Sequence, residues 1–138
     1  MNTLLCSLLV IPFIMATMAE TPLWEKMETM RWKNRVVVMY SPKPDAQELL
    51  KQKQFLANKT AEIQDRDMVI VTCVGSTLSG EDTNYIQQHF NHNISTFGVW
   101  LVGKDGGTKH SSTEPVTAEK FFGMIDAMPM RRSEIKNK

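Results

Sequence analysis

Three unbroken apolar runs limit what this chain can fold into. Val36 to Tyr40, Met68 to Val74 and Phe97 to Val102 are rich in β-branched and aromatic residues, and none of them alternates with polar side chains. A strand with one face in water alternates with a period of two, so a run without alternation belongs to a strand covered on both faces. The segments between the runs carry helical spacing. Leu23, Met27 and Met30 follow Thr21 and Pro22, which suit an N-cap and a first helical position. Ser41-Pro42-Lys43-Pro44-Asp45 interrupts the first run, because two prolines neither donate to a ladder nor continue a helix. From Asp45 as N-cap, Ala46, Leu49, Leu50, Leu56, Ala57 and Ile63 outline a single helical face. Gly75 to Gly80 reads as a loop, and Asp82 as the cap of a shorter helix holding Tyr85, Ile86 and Phe90.

After the third run, Lys104-Asp105-Gly106-Gly107 contains Asp-Gly, a strong hairpin signal whose two residues take left-handed dihedrals. Thr108 to Ser111 returns as a polar edge strand. Thr117 caps a last helix bearing Phe121, Ile125 and Met128, and Pro129 stops it. The element order is β-α-β-α-β-β-α behind a short N-terminal helix. Two crossovers followed by an antiparallel hairpin and a covering helix give an α/β fold of thioredoxin-like order, with a generic three-layer sandwich as the alternative.

Residues 4–19, LLCSLLVIPFIMATMA, carry no charge, and their apolar block from Leu4 to Met15 is shorter than the roughly 20 residues of a membrane span. The block matches a secretory signal, with Thr17 and Ala19 small enough to precede cleavage before Glu20. No Lys or Arg precedes it, so the α-amino group alone supplies the positive end, and an uncleaved anchor is the alternative. The expected division is a signal peptide at 1–19, a domain at 20–130 and a frayed polar tail at 131–138. The expected location is exported, periplasmic or secreted, with no stable membrane span after cleavage. Cleavage leaves Cys73 as the lone cysteine, so no intramolecular disulfide can form. Sixteen basic against fifteen acidic residues give a net charge of +1, too weak a field for nonspecific nucleic-acid binding.

Arg31-Trp32-Lys33-Asn34-Arg35 running into VVVMYSP, then LVGKDGGTK from Leu101 to Lys109, then IDAMPMRRSE from Ile125 to Glu134 are three distinctive stretches, with Arg66-Asp67 as a weaker fourth. Together they resemble the P-DUDES domain. That family is thioredoxin-like and of unknown biochemical activity. It occurs as small exported bacterial proteins and as repeated domains in secreted animal matrix and sushi-repeat proteins. The resemblance implies a secreted, noncatalytic thioredoxin-like fold.

The residues offer little redox chemistry. A thioredoxin-type nucleophile would sit where the first strand meets its helix, and Ser41 to Asp45 holds no cysteine. The position before the third strand, a proline in redox members of the fold, is Ser95 or Thr96. Cys73 lies inside an apolar run and reads as a core residue, the alternative being a one-cysteine thiol oxidoreductase or peroxide sensor. His89 and His92, three apart, would face one side of a helix and share a metal, but two imidazoles are too few without a third ligand. His110 is expected to be exposed. No cofactor and no metal are expected. The Lys104-Asp105-Gly106 segment reads as a hairpin whose lysine keeps an edge soluble, or as part of an anion-binding surface. Asp126 reads as the partner of Arg131, Arg132, Arg31 or Arg35, locking the C-terminal turn, or as a binding-site carboxylate. Met128 and Met130 around Pro129 offer an apolar contact. The binding face expected from the family-like stretches combines Arg31, Arg35, Lys104, Asp105, Asp126 and Arg131, directed at a protein or glycan partner in the cell envelope or outside the cell.

Overall fold

The computed structural model describes residues 19–138, and the expected signal segment lies outside the described residues except for Ala19. In chain order the elements are α1 (Leu23–Met30), β1 (Arg35–Ser41), α2 (Gln47–Leu56), α3 (Thr60–Asp65), β2 (Met68–Val74), α4 (Gly80–His89), β3 (Gly98–Val102), β4 (Thr108–Ser112), α5 (Ala118–Asp126) and α6 (Pro129–Lys136). The four strands form one sheet in the order β2-β1-β3-β4. β1 and β2 are parallel, whereas β3 runs antiparallel to β1 and β4 antiparallel to β3. Among the described residues only one parallel crossover is present, the one through α2 and α3, and not the two expected. The α4 connection carries the chain past β1 to pair from its other side.

Alternation along β1 sorts the core into two layers. Val37 and Met39 meet Leu49, Leu56, Phe121 and Ile125 from α2 and α5. Val36, Val38 and Tyr40 meet Leu23, Ile86 and Trp100 on the side of α1 and α4. All seven residues of β1 are buried, as the absence of alternation in its run requires. β2 departs from the same reading. It is an edge strand in which only Met68 and Cys73 are fully buried.

Several boundaries depart from the sequence reading. The helix expected from Asp45 to Ile63 is two helices, broken where Asn58 takes a left-handed φ of 60° that asparagine tolerates. α2 is preceded by Ala46 with no side-chain cap, and Asp45 lies outside it. Ser79, not Asp82, caps α4 by accepting from the Asp82 amide. The Asp82 carboxylate instead accepts from the Leu23 amide at 2.8 Å and ties α1 to α4. Pro22 is the N-cap of α1, one residue after the Thr21 expected there, and the helix starts at Leu23. α5 ends at Asp126, so Met128 lies outside it as the N-cap of α6, and Pro129 opens α6 as a first-turn proline. The polar tail is therefore helical from Pro129 to Lys136, with Arg131 buried.

A buried amide joins the two halves of the fold. Gln52 on α2 has no exposed surface; its Nε2 donates to the Val116 carbonyl and its Oε1 accepts from the Val116 amide, both at 2.8 Å. Gln52→Leu would fill the space but leave both backbone groups unpaired, at about 1–3 kcal/mol for each buried group. Urea unfolding should show a loss of about 3 kcal/mol, and an unchanged midpoint would contradict the clamp.

Candidate functional site

The charged residues singled out in the sequence gather at one end of the sheet, where β1 and β2 begin and β3 ends. Arg35, the first residue of β1, is 1% exposed. Its guanidinium forks onto the Glu134 carboxylate of α6 with two bonds of 3.1 Å, and it donates to the Arg66 carbonyl at 3.0 Å. Lys104 reaches the same carboxylate at 2.7 Å and Asp67 at 2.9 Å. It is mostly buried in this cluster, and so is not a lysine that keeps an edge in solution. Asp126 bonds Arg66 at 2.9 and 3.0 Å and Arg131 at 3.3 Å. Arg131 also binds Asp65 at 2.6 Å, and Lys138 pairs with the same aspartate. A 3.9 Å contact from Arg131 to Glu134 links the two halves of the network.

The pKa directions follow from these contacts. Burial opposes the charge on Glu134, yet the bonds from Arg35 and Lys104 hold its pKa below the ordinary 4.5. The Arg66 bond, with help from Arg131, keeps Asp126 below 3.8 against its own desolvation. Lys138 and then Arg131 draw Asp65 down to about 2. Burial works against the Lys104 charge, but Glu134 and Asp67 outweigh it and raise its pKa.

Arg31 and Asp105 stand at the rim of this network. Arg31 Nε donates to the Asp105 carbonyl at 3.1 Å, and the Asp105 carboxylate accepts from Lys109 at 2.8 Å and from the Gly107 amide at 2.9 Å. Only Gly106 of the Asp-Gly pair has a left-handed φ, +83°; Asp105 contributes a side-chain turn instead. Trp32 has the unusual backbone φ of 65°, its amide donating to the Lys104 carbonyl at 2.6 Å, and its side chain is 62% exposed. Beside the hairpin lies a cleft of about 360 Å³ lined by Arg35, Lys104, Asp105, Lys109 and the Met128-Pro129-Met130 segment.

The six expected residues thus share one end of the molecule, and nearly all their charged groups are engaged by one another or by carboxylates of the same chain. Asp65, Arg66, Asp67 and Glu134 complete the network and were not among them. Two signals were available: Arg66-Asp67 and Glu134 lie in the family-like stretches, and the spacing of Arg131 and Glu134 places both on one side of a helix started by Pro129.

The other candidates lie elsewhere. Cys73 is buried in the α1–α4 layer; desolvation, aided by the Asp82 charge, pushes its thiol up to about 11. His89 ends α4 and stacks on Tyr85 at 4.7 Å. His92 lies beyond the helix and is buried, 2.9 Å from the Thr96 carbonyl and edge-on to Tyr40 and Trp100. The two imidazoles therefore do not share a helix face. His110 is half-buried, not exposed, with Nε2 unpartnered among the described residues and its pKa lowered by burial and by Lys120.

A family model described as a domain of unknown function (DUF4174) matches residues 26–134, a span that takes in the whole network as far as Glu134. The chain belongs to that family. No curated protein matches it. Among solved structures, it is similar to the reduced 2-Cys peroxiredoxin of Plasmodium vivax, with a TM-score of 0.59 and 14% identity over 78% of this chain and 83% of that one. It is also similar to thioredoxin peroxidase I of Plasmodium yoelii, with a TM-score of 0.58 and 13% identity over 77% and 79%. At this identity the likeness establishes the thioredoxin-like fold and nothing of the chemistry.

Carboxylates with depressed folded pKa values contribute stability above their unfolded values and lose it as pH falls toward the folded ones. The DUF4174 chain should therefore lose denaturant stability between about pH 4.5 and pH 2. Arg35→Ala should cost about 2–3 kcal/mol at pH 7, since Glu134 is partly solvated and keeps Lys104. The same variant should flatten the acid limb of a stability–pH profile. A variant profile parallel to the wild-type one would mean that Glu134 carries none of the acid-sensitive stability.

Proposed function

We propose that this DUF4174 chain is an exported, noncatalytic binding module that holds a protein partner at the cleft floored by Met128, Pro129 and Met130. The observation that carries the reading is the cleft itself, an apolar floor on a base braced by ion pairs. Met130 at its lip is 43% exposed, and Trp32 stands free on a backbone anchored to the adjoining hairpin. Exposed tryptophan and methionine on a rigid support are the residue types that concentrate binding energy at protein interfaces. Methionine also adapts to the shape of what it meets. Lys104, Asp105 and Lys109 supply a polar rim, to which Arg31 is tied through the Asp105 carbonyl, while Arg35, Asp126 and Arg131 hold the floor in place. An apolar floor suits a protein side chain better than a sugar.

The noncatalytic part of the reading draws on Ser41 to Asp45, which offers no thiol where the fold would use one, and on the high pKa of Cys73. The uncharged leader and the P-DUDES resemblance support export, with the secreted chain beginning at Glu20.

Two measurements test this. Iodoacetamide at pH 7 should leave Cys73 unmodified in the folded protein and label it fully in denaturant; rapid labelling of the folded state would return the thiol to chemistry. A photo-crosslinking residue at position 130 of the secreted chain should capture a discrete extracellular protein. The purified partner should then bind Trp32→Ala and Met130→Asp at least about tenfold more weakly, with unchanged melting temperatures. Unchanged affinity in both variants would overturn the cleft as the contact.

A further inference from the structure

The α1–α4 surface carries a second arrangement that the cleft does not use. Trp24 on α1 is 45% exposed, yet its indole is held in place, Nε1 donating to Glu81 Oε1 at 2.9 Å. The neighbouring Leu23 amide is bonded to Asp82, so two consecutive residues of α1 are fixed to the first turn of α4. One and two turns further along α4, Tyr85 and His89 lie ring on ring, 10° from parallel. Asn84 and Gln88 flank that pair and bond each other, Gln88 Nε2 to Asn84 Oδ1 at 3.1 Å. Together these side chains line an open concavity of about 420 Å³.

We propose that this concavity binds a neutral pyranose of an oligosaccharide. A sugar ring presents an apolar face of C–H groups and an equatorial belt of hydroxyls, and it needs both a flat aromatic surface and planar hydrogen-bonding groups. Trp24 supplies the surface, already oriented by its bond to Glu81, so little rotamer freedom remains to be lost on binding. Among the described residues, the Asn84 amide nitrogen, the Gln88 amide oxygen and the second Glu81 oxygen have no protein partner. They offer donors and acceptors side by side, which is what vicinal hydroxyls require. Glu81 in the lining and Glu28 of α1, whose charge reaches Tyr85, make the surface acidic and disfavour sulfated or uronate chains. The site is separate from the methionine cleft, so either reading can fail without the other.

Calorimetric titration of the secreted chain tests the proposal. The probes are β-1,4-linked tetramers of N-acetylglucosamine and of glucose, a mannose tetramer, and a heparin-derived tetrasaccharide as the anionic control. At least one neutral tetramer should bind with a dissociation constant below about 1 mM. The N-acetylglucosamine and glucose arms stand for a wall or matrix polysaccharide and the mannose arm for glycans carried on proteins, so the arm that binds assigns the source. Trp24→Ala should weaken binding at least about tenfold. Asn84→Ala and Gln88→Ala, both at exposed positions, should each weaken it severalfold and decide the matter if the Trp24 variant does not fold. No saturable binding of any neutral tetramer up to about 5 mM, affinity unchanged by the variants, or a preference for the heparin fragment would each overturn it.

Discussion

Arg35 opens the central strand as a charged group almost without access to water, and much of the surrounding architecture answers that fact. An isolated guanidinium in such a place is prohibitively costly, so the fold must deliver an anion to it with good geometry. Glu134 arrives from 99 residues further along the chain, which is possible only if α6 lies across the end of the sheet. Arg131 follows it into the same space and must be matched in turn by Asp65 and Asp126. Arg66 balances the second of these and stacks on Phe122 at 4.4 Å. Replacing such a cluster with apolar residues need not weaken a protein, so its effect lies less in net stability than in fixing where the last helix goes.

The strands were legible in the sequence because a short continuous apolar run rich in β-branched residues fits little besides a covered strand. The chain shows β1, β2 and β3 within a residue or so of where their runs place them. Their neighbours were less legible. MVIVTCV reads like a central strand although it lies at the edge, because local composition does not say whether a second strand will pair on the far side. The break between α2 and α3 falls on Asn58, without the proline or glycine that usually marks one.

α6 escaped for a more instructive reason. Its buried side is Arg131, so it has no apolar stripe to count, and Pro129 serves equally as the end of one helix and the start of the next. Arg35, Lys104, Asp126 and Arg131 could be grouped because they sit in family-like stretches. Asp65 and Glu134 could not be assigned as their partners, since pairing across 66 to 99 residues leaves no mark on local sequence.

The two ends of the sheet also use their polar groups differently. At the end where β1 meets α2, those groups are taken up by the chain's own backbone. Ser41 donates to the Lys43 carbonyl, Tyr40 to the Ile94 carbonyl, and His92 Nε2 sits 2.9 Å from the Thr96 carbonyl. These bonds fix the loops that follow β1 and α4 against the sheet. At the opposite end ion pairs engage most of the charges, and the large apolar side chains facing outward include Trp32 and Met130. A charge network that satisfies itself makes a stiff base for apolar groups that must not collapse inward. Under the proposed binding role that stiffness would hold Trp32 and Met130 outward for a partner, and the buried guanidinium of Arg35 is what imposes it.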